Sequence, residues 1–529
     1  MLILQDMTYV HPDKDALFTH LNLTINKHQK VALIGHNGAG KSTLLNLLAG
    51  NLHPESGLVR TDEKPYYLPQ LFGQYDGFSV ARALGVEDKL HALKEIIDGK
   101  VSEENLSLLN EDWTIEERCM EALAHWKLDT IDLHQKLEHL SGGQKTKVFL
   151  AGIRIHQPDI LLLDEPSNHL DMESREILYD FIRTTNSTMV VVSHDRTLLN
   201  LLDTVLELSK QGIAVYGGNF DFYVKQKKTE AEALNQELKS REKELRKAKE
   251  IERETLQRQQ KLDARGKKKQ EKEGLPTISM NTFKNNAEKS TSRIKGIHEE
   301  RTDAISQALN KLRSELPDSD QMKMGFDHTH LHYGKILIRA TNINFSYARS
   351  LLWKQGVSLQ ITSGERIAIK GRNGSGKTTL LKMMLGDLQP TSGEISRAAI
   401  KTIYIDQDYS FIQHQLTVYE QAQQFNTRLL HEHEIKIRLN RFLFIKEYWD
   451  KPCSSLSGGE RMRLILCCLT ISNNAPDLIV LDEPTNNLDL LTIQILTAAI
   501  NEYKGTLVVI SHDSHFLNEV QIERAIHLP

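Results

Sequence analysis

The sequence predicts an α/β protein in which two P-loop domains are joined by a long α-helical hairpin. Three observations carry that expectation. A glycine-rich loop, Gly35-His36-Asn37-Gly38-Ala39-Gly40-Lys41-Ser42, recurs as Gly371-Arg372-Asn373-Gly374-Ser375-Gly376-Lys377-Thr378. An apolar run ending in two carboxylates, ILLLDE at 160–165, recurs as LIVLDE at 478–483. Between the halves lies a glycine-poor stretch rich in Lys, Arg, Glu and Gln, which is helix composition. A duplicated unit fixes the architecture: a first domain at 1–221, a hairpin at 222–325 and a second domain at 326–529.

The bulk properties agree with that division. At 529 residues the chain exceeds one hydrophobic core, and 40% hydrophobic with 26% charged residues is ordinary for a globular protein. Apolar runs such as 148–153 are far shorter than the roughly 18 residues a bilayer span needs. The first residues, MLILQDMTYVHP, lack a basic region followed by an apolar stretch, so a cytoplasmic protein without membrane contact is expected. Cys119, Cys453, Cys467 and Cys468 have no CxxC spacing, which excludes a cysteine zinc framework and points to reduced thiols.

Each glycine-rich loop follows a strand-like run, VALI or RIAIK, enters a helical TLL segment and fits GxxxxGK[ST]. Glycines let successive N–H groups curl around phosphates, and the helix N-terminus adds positive partial charge. Lys41 and Lys377 are expected on the outer phosphates and Ser42 and Thr378 on a magnesium ion, with Thr43 and Thr379 completing each loop. Asp164 and Asp482 suit the magnesium shell. Glu165 and Glu483 are placed to polarise an attacking water.

Between loop and acidic strand stand Leu140-Ser141-Gly142-Gly143-Gln144 and Leu456-Ser457-Gly458-Gly459-Glu460, and on these segments the sequence resembles the ATP-binding cassette family. Serine and glycines at a helix start offer a hydroxyl and unobstructed N–H groups to a phosphate. The resemblance implies that each segment faces the phosphate loop of the opposite domain, so that two Mg-ATP are sandwiched between the halves. One site would join Lys41, Ser42 and Glu165 with Ser457 and Gly459, the other Lys377, Thr378 and Glu483 with Ser141 and Gly143. It also implies metal-sensing roles for Gln70 in YLPQ and Gln407 in YIDQ. Asp171 and Asp489 would sit in the loops linking the sites, and His194 and His512, in SHD, would contact the terminal phosphates. Tyr347 in NFSYA matches the aromatic that the family stacks on adenine. The first domain instead has His11 two residues after Tyr9, so weaker adenine discrimination is expected there.

In the intervening segment, Leu234, Leu238, Leu245 and Ala248 mark one helical face, and Ile294, Ile297, Ile305, Leu309, Leu312 and Leu316 another. Two helices of about 36 residues, each roughly 50 Å long, would pair antiparallel around a turn at 265–293. That turn holds Lys267, Lys268, Lys269, Gly274 and Pro276. Residues 225–315 carry 24 Lys and Arg against 16 Asp and Glu, a net +8 that leaves −12 for the rest. An acidic body with a basic arm points to a polyanion partner for the arm, a solvated coiled coil being the plainer reading.

Two unbroken cassettes joined by a charged helical linker resemble the ABC-F proteins, ATPases of the translating ribosome. The resemblance implies a linker that reaches toward P-site tRNA and the peptidyl-transferase centre, with phosphate-directed contacts to rRNA. It equally implies a monomer whose cassettes pair within one chain. Lysine and signature serine are 100 residues apart in the first domain and 80 in the second, so any insertion around 83–113 is short; the chain ends 17 residues after His512. Both features disfavour members defined by a large insertion or a tail. The energy subunit of a membrane transporter is the alternative, and it would have little use for a basic hairpin. Translation factor and antibiotic protection both stay open. His328, His330 and His332 alternate as strand residues do; a polar strand face explains them more simply than a metal site.

Overall fold

The computed structural model describes every residue except 12–15, 71–72, 210, 274–291, 294, 298–299, 313–330, 348–349, 473–474 and 529. Two compact units emerge: Met1–Asp221 with Gln321–Pro529, and Phe222–Asp320. His328, His330, Ile294, Leu316, Gly274 and Pro276 lie outside the described residues.

Each α/β domain is built on a mainly parallel sheet. In the first, the strands run in the order Tyr66–Leu68, Ile160–Asp164, Thr188–Val192, Lys30–Ile34, Thr204–Ser209, Gly212–Tyr216, only the last pair being antiparallel. In the second the order is Thr402–Ile405, Leu478–Asp482, Thr506–Ile510, Arg366–Lys370, Arg524–His527, all parallel. The central strands ILLLD, TMVVV, LIVLD and TLVVI are buried at every position. Continuous apolar runs of this kind are what a sheet covered on both faces requires. A three-stranded antiparallel sheet accompanies each domain, Ala16–Ile25, Leu2–Val10 and Ser56–Thr61 in the first. Its inward residues Leu4, Met7 and Ile25 share a core with Leu44 and Leu47 of the phosphate-loop helix and with Leu162 and Val190.

The strand order positions the chemistry. In both domains the acidic strand, the strand leading to the SHD histidine and the strand leading to the phosphate loop are consecutive neighbours. Their C-terminal ends therefore bring carboxylates, imidazole and lysine together, at the edge where open α/β sheets bind ligands.

The first domain's extra length forms a helical pair, Glu87–Ile97 and Glu103–Leu109, ahead of Ile115–His125. All four cysteines are buried and unpaired. No helix among the described residues is long and apolar enough to cross a membrane.

The second unit begins with one helix, Phe220–Glu273, of 54 residues, or about 80 Å at 1.5 Å per residue. The expected stop near residue 265 is corrected: helix continues through Gly266 and Lys267–Lys269. One glycine costs only about 1 kcal/mol relative to alanine, and the neighbouring Lys, Gln and Glu are good helix formers. A second helical stretch returns over 300–312. Ala248, Ile305 and Leu309 are buried together, with Leu238 and Leu245 packed against them, so the two stretches pair as a hairpin. Ile297 departs from the expected face and is 57% exposed.

Candidate functional site

Both phosphate loops have the same internal geometry. The helices Lys41–Leu48 and Lys377–Leu385 start from Gly40 and Gly376, whose φ values of 93° and 90° lie in the left-handed region. A Cβ there would also stand 2.6 Å from the Phe18 ring or 2.5 Å from Leu352, so glycine is required twice over. Lys41 Nζ donates to the carbonyls of Gly35 at 2.8 Å and His36 at 3.1 Å, and Lys377 makes the same pair of bonds to Gly371 and Arg372. Burial pushes both lysines down, against the raising effect of nearby carboxylates.

Beside each loop stand buried carboxylates. Burial raises Asp164 and Asp482 above the usual range. Asp482 Oδ2 accepts from Tyr404 Oη at 3.1 Å and Thr378 Oγ1 at 3.3 Å. Glu165 and Glu483 have positive φ, 52° and 49°, and each faces a histidine Nε2 at 3.3 Å, His194 and His512 respectively. Burial lifts Glu483 to about 7 and shifts Glu165 upward too, while the same desolvation brings His512 down to about 3 and His194 likewise downward. With the imidazole held neutral, neither contact is an ion pair. Oε1 of Glu165 and both carboxylate oxygens of Glu483 are buried without a well-formed hydrogen bond, as are both oxygens of Asp164. Buried acceptors left open in this way call for a partner from outside the chain.

The signature segments are built as helix starts. Ser141 and Ser457 cap Gly142–His156 and Gly458–Ile471, each in a capping box closed by Gln144 or Glu460. Each serine hydroxyl therefore already accepts from its own helix, and Ser457 Oγ lies 3.0 Å from Glu460 Oε2. Both segments face the opposite domain. A methyl group added at Gly143 would stand 3.1 Å from Asn373 Nδ2, and one at Gly459 3.6 Å from Asn37 Nδ2. Asn373 Nδ2 donates to the His169 carbonyl at 2.9 Å, and the Asn37 N–H donates to Asp489 Oδ2 at 3.2 Å. Asn168 and Asn487 meet across the same seam at 3.2 Å. Asp171 and Asp489 cap the helices Met172–Thr184 and Leu490–Glu502; bonds from Ser174 and Thr492 hold their carboxyls low although burial opposes it.

Two cavities open along this seam. The larger, about 740 Å³, joins Gly38, Lys41, Ser42, Thr43, Gln70, Asp164, Glu165 and His194 to Ser457, Gly458 and Arg461. The smaller, about 520 Å³, joins Asn373, Gly374, Gln407, Glu483 and His512 to Ser141, Gly143 and Gln144; Lys377, Thr378 and Asp482 do not reach its wall. Tyr347 is 56% exposed with its hydroxyl 3.0 Å from Thr379 Oγ1, and lies outside both cavities. His11 lines the larger one, while Tyr9 is buried in the core.

Four residues of the site were not expected from the sequence. Tyr404 touches an acidic-strand aspartate, and Tyr67 is its counterpart; the signal was the repeated tyrosine three residues before Gln70 and Gln407. His169 offers its carbonyl across the seam. Arg175 lines the smaller cavity and has no motif to announce it.

The family model described as "ABC transporter" matches twice, at residues 18–168 and 354–486. The ATP-binding protein Uup of Haemophilus influenzae is 30% identical over 96% of this chain and 76% of its own length. The probable ATP-binding protein YbiT of Escherichia coli O157:H7 is 30% identical over 98% of this chain and 94% of its own. The ABC transporter F family member 5 of Arabidopsis thaliana is 28% identical over 95% and 71%. Among solved structures, the archaeal ribosome recycling factor aABCE1, in complex with the stalk protein aP1, shares the fold. Its TM-score is 0.56 with 19% identity, over 99% of this chain and 87% of that one.

Proposed function

The chain belongs to the ATP-binding cassette family and within it to the ABC-F proteins, and on that premise we propose that it closes around two Mg-ATP and docks on the ribosome in the closed form. It is an ATPase with tandem cassettes. The observation that carries the two-site reading is the pairing of Gly143 with Asn373 and of Gly459 with Asn37, which sets each signature segment against the opposite phosphate loop.

In the first site Lys41 neutralises the outer phosphates, the N–H groups of 35–43 cradle them, and Ser457 and Gly459 close over them from the other cassette. Lys377, the loop 371–379, Ser141 and Gly143 do the same in the second. Residues that would hold magnesium are Ser42, Asp164 and Gln70 in one site and Thr378, Asp482 and Gln407 in the other. Both carboxylate oxygens of Asp164 are buried without a well-formed hydrogen bond and Thr378 Oγ1 lies 3.3 Å from Asp482 Oδ2, which fits an ion that takes its remaining ligands from water and phosphate. Such an ion supplies charge neutralisation and polarisation of the phosphoryl oxygens. Glu483, lifted toward neutrality, can take a proton from water near pH 7, and Glu165 is shifted in the same direction. His194 and His512, kept neutral, each carry one N–H, which can be donated to the terminal phosphate while the other ring nitrogen can only accept. Tyr347 stacks on adenine in the second site.

Closure needs the nucleotide because the phosphate bridges groups from two cassettes; hydrolysis and release remove the bridge and reopen the seam. The basic hairpin then meets rRNA and P-site tRNA only in the closed form. One chain supplies both halves of both sites, so it works as a monomer, in the cytoplasm.

The test is sedimentation with ribosomes. The Glu165→Gln/Glu483→Gln chain should pellet with ribosomes in ATP and stay free in ADP. Equal pelleting without nucleotide, or none with ATP, contradicts the proposal. Growth of cells with and without the protein under ribosome-targeting drugs separates a translation factor from a protection factor.

A further inference from the structure

A buried guanidinium sets the second site apart from the first. Arg175 stands four residues after Asp171, and Ile493 holds the matching place four residues after Asp489. Arg175 belongs to the first cassette and is 9% exposed, yet its guanidinium lines the cavity containing Asn373, Gly374, Glu483 and His512 of the second. Its Nε donates to the Leu170 carbonyl at 3.2 Å and its Nη1 reaches Asp195 Oδ2 at 3.5 Å. The Tyr179 hydroxyl is a further polar neighbour of the guanidinium, and the hydrogen bonds formed among the described residues use Nε and Nη1 rather than Nη2.

Asp195 is already committed elsewhere. Its Oδ1 accepts from the N–H groups of Thr197 at 3.0 Å and Leu198 at 3.2 Å, and its Oδ2 accepts the Tyr179 hydroxyl at 2.5 Å. The 3.5 Å contact to Arg175 is the weakest of the four. The guanidinium therefore keeps charge and donors directed at the cavity, whose wall it shares with Glu483 and His512. Asp171, on the same wall, already accepts from the N–H and hydroxyl of Ser174. Lys147, on the same wall, adds to the positive potential, whereas Lys127 is paired with Glu173. A buried guanidinium with open donors favours an anion of matching geometry. The first site has no such group from the equivalent helix, since Ile493 is 2% exposed in the core.

We propose that Arg175 is a phosphate-binding residue of the second nucleotide site alone, donating from Nη2 across the seam to the terminal phosphate. This rests on the reading that two nucleotides bind between the cassettes. Trapped radiolabelled ATP is counted and chased from the Glu165→Gln/Glu483→Gln chain. The parent should hold two per chain; fewer than two sinks the underlying reading along with this one. Adding Arg175→Ile should speed release of one of the two by about tenfold, the loss of one hydrogen bond to a charged group, and leave the other unchanged. Arg175→Lys should fall between, and Lys377→Ala, which empties the second site, should abolish the accelerated phase. Two unchanged phases, or two equally accelerated ones, in a variant whose melting temperature matches the parent would overturn the proposal.

Discussion

Tyr503 and Thr185 follow matching helices, Leu490–Glu502 and Met172–Thr184, yet they fill very different volumes. Tyr503 is fully buried and its hydroxyl donates to the Pro476 carbonyl at 2.8 Å. At Thr185 the corresponding space is open, a cavity of about 680 Å³ that also borders Trp126, Pro158 and Phe181. Tyr503→Phe should cost about 1 kcal/mol, one hydrogen bond, and Tyr503→Ala about 3–5 kcal/mol, the price of emptying a large aromatic site. Urea unfolding monitored in the second cassette checks both values; equal costs would mean the ring contributes no packing. The same residue scale shows where sequence is silent. Lys41, Asp164, Glu165 and their counterparts were legible because phosphate chemistry restricts residue type at fixed spacing. Arg175 was not, because its role depends on which helix face meets the other cassette, and Ile493 shows that the duplicated position carries no common requirement.

Among the elements, the helices were legible from composition and period, whereas their ends were not. The run from 265 to 273 reads as a charged turn, yet favourable side chains carry the helix on to Glu273. Among the described residues, the apolar cluster that pairs the hairpin is Ala248, Ile305 and Leu309 with Leu238 and Leu245 against them. Leu309→Asp should therefore unpair it, since an unpartnered charge replaces a buried leucine. Limited proteolysis should then cut within 222–320 while both cassettes remain intact; unchanged protection would deny the cluster that role. In the first cassette's helical region, Asp112 accepts from Lys89 at 3.0 Å and Arg118 at 2.8 Å, and its side chain is 13% exposed. Although burial works the other way, these bonds hold its carboxyl below the ordinary 3.8. A depressed folded value means the stabilisation is fully present above the unfolded value near 3.8 and is lost as pH falls through the folded one. Asp112→Asn should destabilise the protein at pH 7 and flatten its stability profile below pH 4. A profile parallel to the parent's would contradict that assignment.

At the scale of the whole molecule, charge separates the jobs: −12 over the cassettes and flanks, +8 over 225–315. In the proposed docking on ribosomal RNA an acidic body is repelled, so the proposal assigns the attraction to the arm, and counterion release would make it salt-dependent. Each phosphate contact made by a lysine should contribute roughly 0.7–0.9 to the slope of log affinity against log salt. Replacing Lys267, Lys268 and Lys269 together by glutamine should therefore weaken ribosome binding of the ATP-trapped chain and lower that slope by about 2 to 3 if all three meet phosphate. Turnover of ATP without ribosomes should be unchanged, because these lysines belong to a unit separate from both cassettes. The slope is the decisive reading. A loss of affinity with the slope intact would mean the arm docks by shape and stacking, and a loss of ATPase activity would mean the hairpin feeds back on the seam without RNA.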